Sequence, residues 1–281
     1  SGDEVIIPSF VCSALLNALR YTGATPVLAD IDPESLNIDP QDARKKMTGR
    51  TRAVIVPHLF GLPADLSSLM KLNVPVIEDC AQAPGATYDG QPAGSFGHAA
   101  VFSFYATKMI TTGEGGMVVS RSTDLIDRVR ELRAYDRRED DRVRYNYKMN
   151  EIQAAIGRVQ LQRLDVFIER RRAIAGQYHQ LLAPLPFRLP PRDPGHVYYR
   201  FVIHADGDVS EWMQILSKKH IHCARPVFMP LHRYLGRDSY PATTTAWRQC
   251  LSIPIYPSLS DSQVKYIARS LAEAAEETSH G

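Results

Sequence analysis

Six short apolar runs punctuate the first 120 positions of the chain: EVIIPS, TPVLADI, AVIVPHL, VPVIED, AVFSF and GMVVS. They are rich in valine and isoleucine and show little polar alternation, the pattern of strands covered on both faces. Segments of helical period lie between them at Ser13–Tyr21, Pro40–Met47 and Ala64–Lys71. This alternation predicts an α/β fold on a mostly parallel sheet with helices on both faces. Gly113–Gly116 predicts a tight reversal before the last run.

The rhythm changes in the second half. Arg128–Arg144 holds seven arginines and five acids, a solvated helix and loop by its near self-neutralisation. From Asn150 to Leu182 the residues Ile152, Ile156, Val159, Leu161, Leu164, Phe167 and Ile168 form an apolar stripe, which predicts one long helix with its apolar side chains in the core. Pro184–Pro194 breaks the pattern. Beyond it, Tyr198–His204 reads as a strand, Val209–His220 as a helix and Asp261–Glu277 as an amphipathic helix. The predicted organisation is a large domain over 1–182, including the connecting helix, and a smaller C-terminal α/β domain over 183–281.

Composition narrows the partners more than the fold. The 281 residues are 44% hydrophobic, enough for a full core. A formal net charge of +2 gives no basis for nucleic acid as a general partner. No apolar run approaches the roughly 20 residues of a membrane span. Cys12, Cys80, Cys223 and Cys250 are scattered and read as reduced thiols of a cytoplasmic protein. The histidines offer no helical pair with a nearby acid, so no metal is expected. His58 and His232 are candidates to touch a substrate.

Candidate chemistry gathers at two strand ends. Lys108 closes Phe102–Lys108, with Ser103 five residues before it and a glycine turn after it. A lysine partly withdrawn from water holds its proton less tightly and becomes an imine-forming amine. The plainer reading is a solvated surface charge. Ser103 is a candidate phosphate-binding hydroxyl, or else a core serine bonded to backbone. VPVIED ends in Asp79, 29 positions before Lys108. That is about the span of one strand–crossover–strand unit, which brings both groups to one carboxyl edge of a parallel sheet. A carboxylate at a ring nitrogen and an imine-forming lysine are the two groups that pyridoxal 5'-phosphate requires. The alternative for Asp79 is a helix N-cap.

The stretch VIEDCAQAPGATYDGQPAGSFGHAAVFSFYATKMITTGEGGMVV resembles the core of the DegT/DnrJ/EryC1/StrS family of sugar aminotransferases. The likeness continues through Gly2–Phe10, Gly23–Val27, Pro57–Gly61, Tyr145–Ala155, Pro230–His232 and Ser252–Pro257. It implies a fold type I architecture with pyridoxal 5'-phosphate as cofactor. It also implies transfer of an amino group from glutamate or glutamine to a nucleotide-linked keto-sugar. By the same resemblance, Lys108 bonds the cofactor and moves the proton, and Asp79 meets its ring nitrogen. Gln82 meets its phenolic oxygen and Ser103 its phosphate. Asn146 reaches the phosphate in the partner subunit, which implies a homodimer. Gln82 and Asn146 also have plainer readings, as caps of a turn and of a loop. A related group with histidine in place of Lys108 performs dehydration, so the lysine favours amino transfer.

Two features depart from the family pattern. Cys12 stands where relatives carry an aromatic residue stacked on the ring. The sequence also opens almost directly into a strand, where relatives have a preceding segment with a phosphate-holding turn at a helix N-terminus. These features raise a second expectation, a short homologue that is catalytically weak or inactive and serves as a dimeric scaffold.

Overall fold

The computed structural model describes residues 2–279, with the backbone alone for 278 and 279. All six predicted runs become strands of one sheet. They are β1 (Glu4–Pro8), β2 (Thr25–Ala29), β3 (Thr51–Pro57) and β4 (Val76–Asp79), then, after a small hairpin of β5 (Thr87–Tyr88) and β6 (Gln91–Pro92), β7 (Ala99–Ser103) and β8 (Gly116–Val119). Their order is β2-β1-β3-β4-β7-β8, and only β8 runs antiparallel to its neighbour.

The two faces of the sheet explain why the runs do not alternate. On one face Ile6, Ala29, Val54, Val56 and Val76 pack with Leu66 and Leu69. On the other, Val5, Ile7 and Leu28 pack with Leu15, Leu16 and Leu19. Each such side chain contributes about 1.5–3 kcal/mol by leaving water. The covering helices are α1 (Ala14–Thr22), α2 (Pro40–Lys45) and α3 (Leu66–Met70). Asp39 and Asp65 cap the starts of α2 and α3 by accepting the Gln41 and Ser68 N–H groups. Gly23 closes α1 in the left-handed region at φ 72°.

The single long helix expected from Asn150 to Leu182 is two helices. After α4 (Thr123–Leu132), α5 (Glu151–Gln162) starts at a capping box formed by Asn150 and Gln153. Arg163, at φ −101° and ψ −1°, interrupts the run before α6 (Leu164–Leu181). The stripe divides with it. Leu164 and Ile168 are buried, whereas Ile152, Ile156, Val159 and Leu161 are exposed, and α5 buries no residue at all. Periodicity fixes which residues share a face; it does not say what covers that face.

The remaining elements are β9 (Phe201–His204), α7 (Val209–Lys218), α8 (Leu231–Tyr234), α9 (Pro241–Gln249), β10 (Cys250–Ile253) and α10 (Asp261–Ser279), with β9 and β10 antiparallel. Ile174 and Tyr178 of α6 enter the same core as Phe201, Trp212, Leu216 and Leu271. A second cluster joins the two halves of the chain, with Phe10, Leu16 and Phe60 against Val202, Val227 and Leu231. The strand expected from Tyr198 starts only at Phe201, because Tyr198 has φ 49° and cannot be extended. No helix among the described residues is long and apolar enough to cross a membrane.

Candidate active site

The carboxyl ends of β4 and β7 lie side by side. Asp79 pairs with Val101, two residues short of Ser103, and Ser103 faces Gly116 of β8. Residues 104–115 then fold back on themselves. The Phe104 N–H donates to the Gly115 carbonyl, the Thr112 N–H to Phe104, and the Lys108 N–H to Tyr105. Gly115 has φ 150°, and a Cβ there would lie 2.6 Å from Thr112 Oγ1, so this closure requires glycine. The fold-back holds Lys108 half-buried, with Nζ 5.5 Å from the centre of the buried Tyr199 ring.

Asp79 is an unfinished carboxylate. One oxygen accepts the Ala81 N–H at 2.9 Å; the other accepts no hydrogen bond among the described residues. Burial pushes its pKa up, and the Ala81 N–H and the charge on Lys108 offset this only in part. No helix starts after Asp79, so the N-cap reading fails. Asp79 and Lys108 thus sense each other electrostatically without forming an ion pair. A half-buried acid with a free oxygen, held apart from an amine at the same edge, fits a ring that carries a cationic N–H at one end and an imine-forming carbon at the other.

Gln82 caps a turn, one that lies 22 residues away at Phe60. Its Oε1 accepts the Phe60 N–H at 2.8 Å, the turn-capping role, and its Nε2 donors are left uncommitted. The turn it caps matters for Lys108. Phe60 sits at φ 59°, its carbonyl accepts the Arg200 N–H, and the Gly61 carbonyl accepts the Val197 N–H. A Cβ on Gly61 would meet Tyr199 N at 2.9 Å. This clamp, with left-handed Phe60 and Tyr198 each costing about 1–2 kcal/mol, carries Tyr199 to the lysine.

Ser103 is half-buried, not a sealed core serine. Its Oγ accepts the Tyr105 N–H at 3.3 Å, which leaves the hydroxyl proton free to donate. Asn146 stands apart on the exposed loop 133–150, and its side chain makes no hydrogen bond among the described residues. Its chain neighbours Tyr145 and Tyr147 stack on each other, ring centres 5.0 Å apart, and donate their N–H groups to the carbonyls of Leu132 and Arg133. Cys12 is an exposed free thiol beyond the end of β1.

Sequence reasoning missed what lies beneath this edge. Glu78 is wholly buried and accepts four N–H groups, from His58 Nε2 (3.0 Å), Gly94 (2.7 Å), Phe96 (2.9 Å) and Gly97 (2.6 Å). Burial alone would raise its pKa, but these bonds outweigh it and hold the carboxyl below the usual range. His58 Nδ1 accepts the Ala64 N–H, which fixes the ring proton on Nε2. His58, Glu78 and Cys80 bring potential ligand atoms within 4.8 Å of one another, but both His58 nitrogens and both Glu78 oxygens are already engaged. Neither candidate histidine is open to a substrate. His58 is buried here, and His232 is buried with Nδ1 2.7 Å from Ser9 Oγ. The acid of VPVIED next to Asp79 was the only sequence trace of the Glu78 network.

The profile of the DegT/DnrJ/EryC1/StrS aminotransferase family matches residues 1–272. GDP-perosamine synthase of Escherichia coli O157:H7 is 38% identical over 289 residues, covering 97% of this chain and 79% of that protein. S. venezuelae DesV, solved in complex with a ketimine intermediate, superposes with a TM-score of 0.92 at 35% identity, covering 98% of this chain and 79% of that one. The PLP form of Spr1654 from Streptococcus pneumoniae gives a TM-score of 0.89 at 25% identity over 98% of this chain and 81% of its own.

Proposed function

This chain belongs to the DegT/DnrJ/EryC1/StrS aminotransferase family of pyridoxal-phosphate-dependent sugar aminotransferases, and on that premise we propose that it moves an amino group from glutamate or glutamine to the keto carbon of a nucleotide-linked sugar. The observation that carries the reading is the pairing of a half-satisfied Asp79 with Lys108 at one sheet edge. The identity with GDP-perosamine synthase makes a GDP-linked keto-sugar the first acceptor to test.

Bound pyridoxal 5'-phosphate supplies an electrophilic carbon and an electron-accepting ring. Asp79 would hold positive charge at the ring nitrogen through its free oxygen. Gln82 Nε2 and the Ser103 hydroxyl, both left uncommitted, would donate to the cofactor's phenolic oxygen and phosphate. Lys108 Nζ would be the group that bonds the cofactor and, once released as a free amine, the base that takes the proton from the substrate carbon. Tyr199 packs against the lysine and keeps bulk water from that side of the amine.

The exposed stripe of α5 and the unpaired Asn146 support a homodimer in which Asn146 serves the partner's cofactor. Charged groups are scarce on that stripe, and an apolar face of this kind favours burial against a second copy. Free thiols at all four cysteines support a cytoplasmic setting. The reading is tested by adding pyridoxal 5'-phosphate to the purified chain and assaying amino transfer from glutamate and glutamine. A visible absorbance band that vanishes in Lys108→Ala is expected. A chain that takes up no cofactor supports the scaffold alternative instead. For the dimer, Ile156→Asp is expected to shift sedimentation to the monomer; a wild-type monomer overturns that part.

A further inference from the structure

A cavity of about 630 Å³ opens between β10, the residues leading into β9 and the start of α10, and the Tyr199 ring that Lys108 Nζ approaches to 5.5 Å is one of its walls. Thr107 and Tyr199 form its inner wall, and no acidic side chain lines it among the described residues. Five basic or imidazole side chains do: Arg171, Arg200, Lys219, His220 and His222. Lys219 is already matched, with Nζ 2.7 Å from Glu273 and 3.9 Å from Glu277. The two arginines are not matched by any carboxylate among the described residues.

Arg171 is buried, and its Nη1 donates to the carbonyls of Tyr198, Tyr199 and Ile255 at 2.9–3.1 Å. Its Nε is buried without a partner. Burial pushes this guanidinium down to about 10, so it stays charged at neutral pH. Arg200 is half-buried and donates from Nη1 to Ser252 Oγ at 3.2 Å, and Ser252 is itself buried. The Arg200 guanidinium lies 5.6 Å from the Tyr199 ring centre, and Lys108 Nζ lies 5.5 Å from the same centre. Two uncompensated guanidiniums in an acid-free cavity are costly unless an anion completes them. Their planar donor sets suit the paired oxygens of a carboxylate or a phosphoryl group.

We propose that this cavity is the oxyanion subsite of the transfer reaction. Arg200, aligned by Ser252 and Tyr199, binds the anionic end of a substrate whose reacting carbon lies at Lys108. The proposal rests on the aminotransferase reading and adds the residue that selects an anionic substrate. Both substrates of that reaction offer the chemistry: the donor through its carboxylates, the acceptor through its diphosphate. Arg171 is the fixed charge behind the subsite, too tied to backbone to be the mobile contact.

Arg200→Gln in the holoenzyme is the test, with Arg200→Lys and Ser252→Ala beside it. The expected result is a rise of about 10- to 100-fold in KM for one substrate with kcat changed far less, and partial rescue by lysine. Glutarate and inorganic pyrophosphate serve as probes of the two sources. If glutarate competes with the amino donor and the donor's KM rises, the carboxylate is the ligand. If pyrophosphate competes with the nucleotide sugar and that KM rises, the diphosphate is. Both KM values within twofold of wild type, with unchanged inhibition by both probes, overturns the proposal. If Arg200→Gln fails to fold, Arg200→Lys and Ser252→Ala are read in the same way. Failure of the aminotransferase reading shows separately, as a chain with no cofactor band. Thermal shifts with glutarate or pyrophosphate, lost in the Arg200 variants, then still report on the subsite.

Discussion

Glu78 and Asp79 are neighbours on one strand, and they live by opposite rules. Alternation sends them to opposite sides of β4. Glu78 accepts four N–H groups and is wholly buried; Asp79 accepts one and keeps an oxygen free. The same functional group is therefore held below its ordinary pKa in one place and above it in the next. The difference separates architecture from chemistry. Glu78 is a completed staple that ties His58 at the end of β3 to the loop entering β7, while Asp79 is left short of partners that a ligand can supply.

That contrast can be broken in order of expected effect. Lys108→Ala removes the amine across from Asp79. Transfer is expected to fall about 10³-fold or more, with the melting temperature of the apoprotein nearly unchanged. A large loss of stability instead would place Lys108 with the architecture. Glu78→Ala orphans His58 Nε2–H and three backbone N–H groups. A loss of about 3–5 kcal/mol is expected in urea unfolding, as for other broken buried pairs. A loss under about 1 kcal/mol would show that Glu78 is no staple.

Asp79→Asn sharpens the comparison from the other side. It keeps the Ala81 bond but cannot hold positive charge at a ring nitrogen. Cofactor affinity is expected to drop about 10- to 100-fold by equilibrium titration, at about 1.4 kcal/mol per decade. The apoprotein is expected to melt at the same temperature or a few degrees higher at pH 8. The pH dependence supplies the smallest and most specific test. Because burial raises the Asp79 pKa, the folded chain holds that proton more tightly than the unfolded chain. Its stabilising contribution is full below the unfolded value, about 3.9, and is lost as pH rises through the raised folded value. Glu78 has the reverse sign: its contribution is present above the unfolded value, about 4.3, and lost as pH falls through the lowered folded one. The stability gap between apo wild type and Asp79→Asn should therefore widen from pH 4 to pH 8 in denaturant titrations. A gap of constant size would remove the claim that Asp79 is desolvated in the folded chain.

Much of the fold was legible because local signals agreed. The valine- and isoleucine-rich runs, the helical period of Ser13–Tyr21, Pro40–Met47 and Ala64–Lys71, and the glycine turn at Gly113–Gly116 each name an element without reference to the rest of the chain. The edge shared by Asp79, Ser103 and Lys108 was legible for a related reason. Parallel strands joined by crossovers place their carboxyl ends together whatever the side chains do. The misreadings share a cause as well. The α5 stripe was assigned to the core because period reveals a face and not its cover. His58 and His232 stayed open candidates for a substrate because nothing local shows that Glu78, 20 residues from His58, and Ser9, 223 residues from His232, occupy them.

The sequence by itself determined the six strands of the large sheet, the family resemblance, and the arrival of Asp79 and Lys108 at one sheet edge. These follow from short-range pattern and from the geometry of crossovers. Only the tertiary structure decided which acid is satisfied, that Gln82 reaches Tyr199 through the Phe60 turn, and that Arg171 and Arg200 share a cavity without an acid. Hydrogen-bond satisfaction and charge balance are sums over neighbours distant in sequence, and they acquire values only when the chain has closed on itself.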